Sequence, residues 1–150
     1  MRLLPLTPAP DKAQYVALSE FRYQLRRFLN FSETAARQAG LTPLQYLLML
    51  HIQGTPGREW SSISELAERL QMKHNAVVGL VNRSVKSGLV TRQKNSEDGR
   101  LIEVHLQPEG SALLVTLAAS HQSELASLSD TFQVARITAF NNDEQAGKAT

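Results

Sequence analysis

The sequence predicts a mainly α-helical fold with one small β-hairpin, and three observations lead to it. Ser62-x-x-Glu65 opens a short helix whose apolar stripe is Ile63, Leu66, Ala67 and Leu70, the i, i+3, i+4, i+7 set of an amphipathic helix. After a tight turn at Gln71-Met72, a second helix runs from about Lys73 to Ser87 and stops at Gly88. A basic hairpin follows at once: strand-like runs Leu89–Lys94 and Leu101–Leu106 flank the polar link Asn95-Ser96-Glu97-Asp98-Gly99-Arg100, which holds an Asp-Gly turn signal.

The remaining elements frame this unit. Residues 1–10 form a loose arm, because Pro5, Pro8 and Pro10 oppose helix. From Asp11 to about Arg37 the pattern is helical, with Leu18, Phe21, Leu25 and Phe28 on one stripe, and Gly40 ends it. Thr42 caps the next helix, Pro43 suits its first position, and Gln45 closes a capping box. Leu47, Leu48, Met49, Leu50 and Ile52 make that helix apolar nearly all round, which places it at the centre of the fold. Gln53–Arg58 holds Gly54, Pro56 and Gly57 and reads as a loop. In the helix after the tight turn, Val77, Leu80, Val81 and Val85 form the apolar stripe, while Asn75, Gly79, Asn82, Arg83 and Lys86 lie opposite. On the second strand Ile102, Val104 and Leu106 alternate with Glu103 and His105. Pro108 and Gly110 announce a fifth helix with Leu113, Leu114, Leu117 and Leu125, and Asp130 caps a last one through Phe132, Val134, Ile137 and Phe140. The chain therefore reads as one domain: a helical region over 11–40 and 108–141, the helix-turn-helix and hairpin over 41–106, and loose tails at 1–10 and 142–150.

Composition narrows the function classes. The 150 residues suffice for a core, and 42% hydrophobic with 20% charged residues is a globular mixture, not a disordered one. With no cysteine, a disulfide framework, a thiolate metal site and a thiol redox sensor are all excluded. The opening MRLLPLTPAP fails as a signal peptide, and no apolar run approaches the roughly 18 residues of a membrane span, so a cytoplasmic protein is expected. The net charge of +2 hides an uneven distribution: between Lys73 and His105 stand six cations against three anions. Binding a polyanion needs such local charge, although a solvated charged face gives the same count.

Helix, tight turn, helix and basic hairpin, in that order, is the arrangement of a winged helix-turn-helix. Its second helix enters the DNA major groove, with residues near its N-terminus meeting base edges. Gly79 on the exposed side costs roughly 1 kcal/mol of helix propensity, a cost that makes sense where backbone must approach a duplex closely. An ordinary helical hairpin would account for the helices but not for a hairpin with an Arg at its tip.

Ile63-Ser-Glu-Leu-Ala-Glu-Arg-Leu70, Val77-Val-Gly-Leu-Val-Asn-Arg83, Gly88-Leu-Val90, Asp98-Gly-Arg100 and Leu106-Gln-Pro-Glu-Gly110 together resemble the MarR regulators, over about residues 15–130. The resemblance implies a homodimer joined through N- and C-terminal dimerisation helices, which binds pseudo-palindromic operators, usually as a repressor, and often leaves them when a small ligand binds. It implies groove-facing positions at Lys73, His74, Asn75, Ala76, Gly79 and Asn82, and a wing arginine, Arg100, for the minor groove. Asp98 matches the acid that steadies the wing by pairing with Arg100 or Arg83. Arg92 and Lys94 would neutralise phosphates. The chain departs from the family pattern at four places. Lys73 stands where a hydroxyl-bearing N-cap is usual, Ser84 replaces a buried Leu and leaves Val85 to fill the space, Gln107 replaces a capping Thr, and Val78 a polar residue.

Other chemistries find little support. His51, His74, His105 and His121 show no metal-ligand spacing, so no metal or cofactor is expected. His51 and Tyr46 on the central helix either pack or line a pocket for a small aromatic or anionic effector. A phosphate-cradling Gly-rich loop, a G-x-S-x-G elbow and an H-E-x-x-H motif are all missing, which argues against an enzyme. The main competitor is a winged helix used as a protein-assembly module, against which the basic wing and the polar face of the fourth helix speak. Double-stranded DNA and a second copy of the chain are thus the expected partners, with no membrane.

Overall fold

A computed structural model of the chain describes residues 8–123 and residue 126. The last helix expected from Asp130, with Phe132, Ile137 and Phe140, and Leu125 on the fifth helix lie outside the described residues. The chain divides into two compact units, Phe31–His121 and a second composed of Met1–Asn30 with Gln122–Thr150.

In the second of these units, helix α1 (Lys12–Gln38) begins. Asp11 and Gln14 cap it reciprocally: the Gln14 N–H donates to Asp11 Oδ1 at 2.8 Å and the Asp11 N–H to Gln14 Oε1 at 2.9 Å. Phe21, Leu25 and Phe28 are half-buried, but Leu18 on the same stripe is exposed, as are Tyr15, Val16, Tyr23 and Leu29.

The unit Phe31–His121 holds the core. The end of α1 contributes Ala36, and the chain reverses through Gly40, whose φ of +81° suits a residue without a Cβ. Helix α2 (Pro43–Gln53) starts with the expected capping box, Thr42 and Gln45 each satisfying the other's backbone N–H at 3.1 Å. Leu48, Met49 and Ile52 are fully buried, which confirms the central position of this helix. Strand β1 (Trp60–Ser62) follows, then α3 (Ile63–Leu70), capped by the Ser62 hydroxyl accepting from the Glu65 N–H at 3.2 Å. Gln71 makes the tight turn in the left-handed region at φ +52°, and α4 (His74–Lys86) begins. Strands β2 (Val90–Lys94) and β3 (Ile102–Leu106) form the hairpin, and α5 covers residues 108–123.

The sheet has order β1-β3-β2, all antiparallel, so β3 is its middle strand. β1 was not expected: three residues within a polar, loop-like stretch carry no readable alternation. It pairs Trp60 with His105 and Ser62 with Glu103, and Arg58 stacks over the Trp60 ring at 4.0 Å. Two further expectations need correction. Glu103 does not face solvent as simple alternation on β3 implies; only 7% of it is exposed, because the strand has a neighbour on each side. On α4 the buried fourth position is Ser84, not Val85, which is exposed. Ser84 satisfies its hydroxyl by donating to the Leu80 carbonyl at 2.9 Å.

Candidate nucleic-acid interface

Helix α4 presents its first turn to solvent. Lys73 occupies the N-cap without making a side-chain cap bond, and Lys73, His74, Asn75 and Ala76 are all exposed. Leu80, Val81 and Ser84, with Val77, hold the opposite side in the core. Successive residues turn by about 100°, so Asn75, Gly79, Asn82, Arg83 and Lys86 share the outward face. Of these only Gly79 is half-buried, and a Cβ there would meet nothing nearer than the Arg83 guanidinium at 3.4 Å. Packing within the chain therefore does not demand a glycine at this position.

The strand register places the wing's cations beside that helix. Arg92 pairs with Val104 and Lys94 with Ile102, so both lie on the sheet face that carries the core residues Val90 and Val104. Beyond the edge of the core they emerge into solvent, and the Arg92 guanidinium donates to Asn82 Oδ1 on α4. Two expected DNA-facing residues from different elements are thus tied together.

The hairpin tip is a closed loop. The Asn95 N–H donates to the Leu101 carbonyl at 2.9 Å, and the Leu101 N–H to the Asp98 carbonyl at 3.0 Å. Asn95 Oδ1 accepts from the N–H groups of Glu97 and Asp98 at 3.0 and 2.9 Å, a short-range turn that asparagine favours. Asp98 Oδ1 accepts from the Arg100 N–H at 3.0 Å and meets its Nε at 3.4 Å, so of the two bases considered for Asp98 it is Arg100 that is paired. The Arg100 side chain remains 94% exposed, held at its root and free at its head.

Behind the tip stands a group the sequence reading did not single out. The Glu103 carboxylate accepts from His105 Nε2 at 2.8 Å and Gln93 Nε2 at 3.1 Å through one oxygen, and from Asn95 Nδ2 at 2.6 Å through the other. The His105 hydrogen bond, assisted by those from Asn95 and Gln93, holds its carboxyl below the usual range. An acid on an alternating strand gives no warning of this role. Only the turn-forming habit of Asn95, three residues before Asp98, was available as a signal.

Tyr46 and His51 are not brought together. Tyr46 is buried, stacked on His121 with ring centroids 4.8 Å apart, and burial pushes its phenol up. Five residues on, His51 faces elsewhere, into an open hollow of about 430 Å³ lined also by Thr55, Ser61, Ser64, Glu65 and Arg69. Burial first, and the Arg69 charge second, hold the His51 imidazole below its usual value. Among the described residues no group of three acidic, histidine or cysteine side chains could hold a metal ion, and no helix is long and apolar enough to cross a membrane.

A model of the MarR family matches residues 39–101, the stretch from the end of α1 through the wing tip. That stretch, less than half of the chain, is similar to the MarR family. Over 109 residues it is 26% identical to the uncharacterized HTH-type transcriptional regulator YsmB of Bacillus subtilis, spanning 69% of this chain and 68% of that protein. With the HTH-type transcriptional repressor MdtR of the same organism it shares 28% identity over 87 residues, 58% of this chain and 54% of that one. Among solved structures, AbsC, a MarR family regulator from Streptomyces coelicolor, superposes with a TM-score of 0.72 at 17% identity, over 95% of this chain and all (100%) of that one. NadR in complex with 4-hydroxyphenylacetate gives 0.64 at 16% identity, over 98% and 100%. At such identities these two likenesses establish a shared winged-helix fold.

Proposed function

We propose that this MarR-type protein is a sequence-specific transcriptional regulator that binds double-stranded DNA as a homodimer and represses from a pseudo-palindromic operator in the cytoplasm. One observation carries the reading: the Arg92–Asn82 hydrogen bond ties the basic wing to the exposed face of α4, the face that also carries Asn75 in the first turn, with the Arg100 head projecting. His74, Asn75 and Ala76 meet base edges; Lys73, Arg83, Arg92 and Lys94 neutralise phosphates; Arg100 enters the minor groove. Gly79 lets the α4 backbone come close, and Asp98 aims Arg100. Repression is supported by the name of MdtR.

The direct experiment is a binding titration against a panel of duplexes from the DNA upstream of the protein's own coding region, at several salt concentrations. One duplex should bind roughly 10³-fold or more tighter than a scrambled control, with affinity falling steeply as salt rises. An assembly module that merely borrows this fold would show neither preference nor salt dependence.

Effector release belongs to the same proposal. NadR, as solved, holds 4-hydroxyphenylacetate. In this chain the hollow beside His51 offers the Arg69 guanidinium to an aromatic carboxylate, which would compete for it with the Glu65 and Glu68 carboxylates of the same lining, whereas Tyr46 serves packing. A thermal-shift screen of aromatic carboxylates and phenols should find a stabilising compound whose effect is lost in Arg69→Ala; no shift with any of them contradicts this part.

A further inference from the structure

We propose that Glu103 is a positioning residue for DNA binding: by holding Asn95 it fixes the 95–100 loop, and so presents Arg100 to the duplex. The inference rests on the wing making contact with DNA, and deepens that reading.

The hydrogen bonds form one continuous path. His105 and Gln93 donate to one oxygen of Glu103, which leaves its other oxygen fixed in direction. That oxygen accepts from Asn95 Nδ2, which orients the Asn95 amide so that its Oδ1 points into the loop. There it takes the N–H groups of Glu97 and Asp98, and Asp98 in turn takes the N–H and Nε of Arg100. Every donor on this path faces a lone pair, and the ionised carboxylates of Glu103 and Asp98 accept without donating. Among the described residues the Arg100 side chain is held by Asp98 alone, so its direction is inherited from the loop.

Removing both oxygens at once is the decisive change at Glu103. In Glu103→Gln the carbonyl oxygen can stay on Asn95 Nδ2 while the NH2 meets His105 Nε2 in its other tautomer and a turned Gln93 amide, so the isostere can keep the strut. In Glu103→Ala nothing holds Asn95 Nδ2, and the amide is released to turn and withdraw Oδ1 from the Glu97 and Asp98 N–H groups. Asn95→Ala reaches the same end from the other side, leaving Glu103 with its two remaining donors. It keeps the protein testable should the Glu103→Ala variant fold poorly.

The experiment has two readouts on the full chain. Backbone ¹⁵N relaxation in the free protein reports order along the wing; in both variants the order parameters of residues 96–100 should fall from the rigid value of about 0.85 to below about 0.6, with α4 unchanged. A wing that stays ordered in both overturns the proposal. The second is a double-mutant cycle on an operator duplex. Arg100→Ala alone should weaken binding roughly fivefold to a hundredfold, and Glu103→Ala by a similar factor. The double variant should be no weaker than Arg100→Ala, because the two act on one contact. Multiplying effects would overturn the proposal, since Glu103 would then act through something else. If Arg100→Ala leaves binding intact while the loop still loosens, the wing's part in DNA binding fails and the positioning of the loop stands.

Discussion

Gly110 sits at the start of α5 in direct contact with the strand side of the fold. A Cβ built there would stand 2.4 Å from the Leu89 carbonyl oxygen and 3.1 Å from Met49 Sδ. Sulfur at the end of a flexible side chain can move, but the carbonyl belongs to backbone. That same carbonyl accepts from the Gln107 N–H at 2.9 Å. Gly110→Ala should therefore lower stability by about 1–3 kcal/mol in a denaturant titration; an unchanged midpoint contradicts the close approach. Ser84 offers a second test, because a leucine there must fit a site packed around a hydroxyl. Ser84→Leu should cost a similar amount, about 1–3 kcal/mol. Stability should also fall on acidification. Burial and Arg69 lower the His51 pKa, so below the usual value of about 6.5 the unfolded chain binds a proton that the folded chain resists. The Glu103 pKa is lowered as well, so its contribution is present above the usual carboxylate range and is lost as pH falls through the lowered value. In thermal melts across pH, His51→Gln should flatten the decline just below pH of about 6.5 and leave the acid limb. What the sequence reveals at this scale is whatever acts locally. The Thr42 and Ser62 caps were legible because a hydroxyl and its target N–H lie three residues apart. Position 84 is legible as a buried site, but the more apolar Val85 beside it draws the stripe one residue too far. Round the helix, position 84 lies only about 20° from Val77, and position 85 about 80°.

At the scale of elements, periodicity foretold α1 to α4 and both wing strands to within a residue or two, because each carries its own apolar pattern and a local stop signal. β1 escaped, since a three-residue strand exists only by pairing with β3, 41 to 45 residues away in the chain (Trp60 with His105, Ser62 with Glu103). The Glu103 acceptor escaped for a similar reason: its donors Gln93, Asn95 and His105 meet only once the hairpin has formed. Helix α4 carries a trade-off that can be measured. Its N-cap, Lys73, makes no side-chain cap bond, although a hydroxyl there would satisfy a free N–H. Lys73→Ser should raise stability by about 1 kcal/mol. It should also make the salt dependence of DNA binding shallower by about one charge. A variant stabilised with unaltered DNA binding would show that Lys73 meets no phosphate.

For the whole molecule, the likeness to MarR regulators was legible before the fold was in view. Five motif blocks in register did what no single block could, and the domain match falls on residues 39–101. Less legible was how the molecule associates. Tyr15, Val16, Leu18, Tyr23 and Leu29 of α1 are exposed in the single chain, more apolar surface on one helix than a monomer in water usually keeps. A homodimer covering part of it is expected, and sedimentation at micromolar concentration should give twice the 16.6 kDa chain mass; a clean monomer contradicts it. The central claim is that α4 reads sequence while the wing grips. It is tested most directly by titrating Asn75→Ala and Arg100→Ala against operator and scrambled duplexes at two salt concentrations. Asn75, exposed on the first turn of α4, can pair bidentately with adenine, so its loss should cost about 1–3 kcal/mol on the operator and much less on the scrambled duplex. Arg100→Ala should weaken both duplexes alike and make the salt slope shallower by about one charge. If Asn75→Ala weakens both equally, α4 does not read bases through that residue; if neither substitution changes binding to either duplex, the assignment of this face to DNA is wrong.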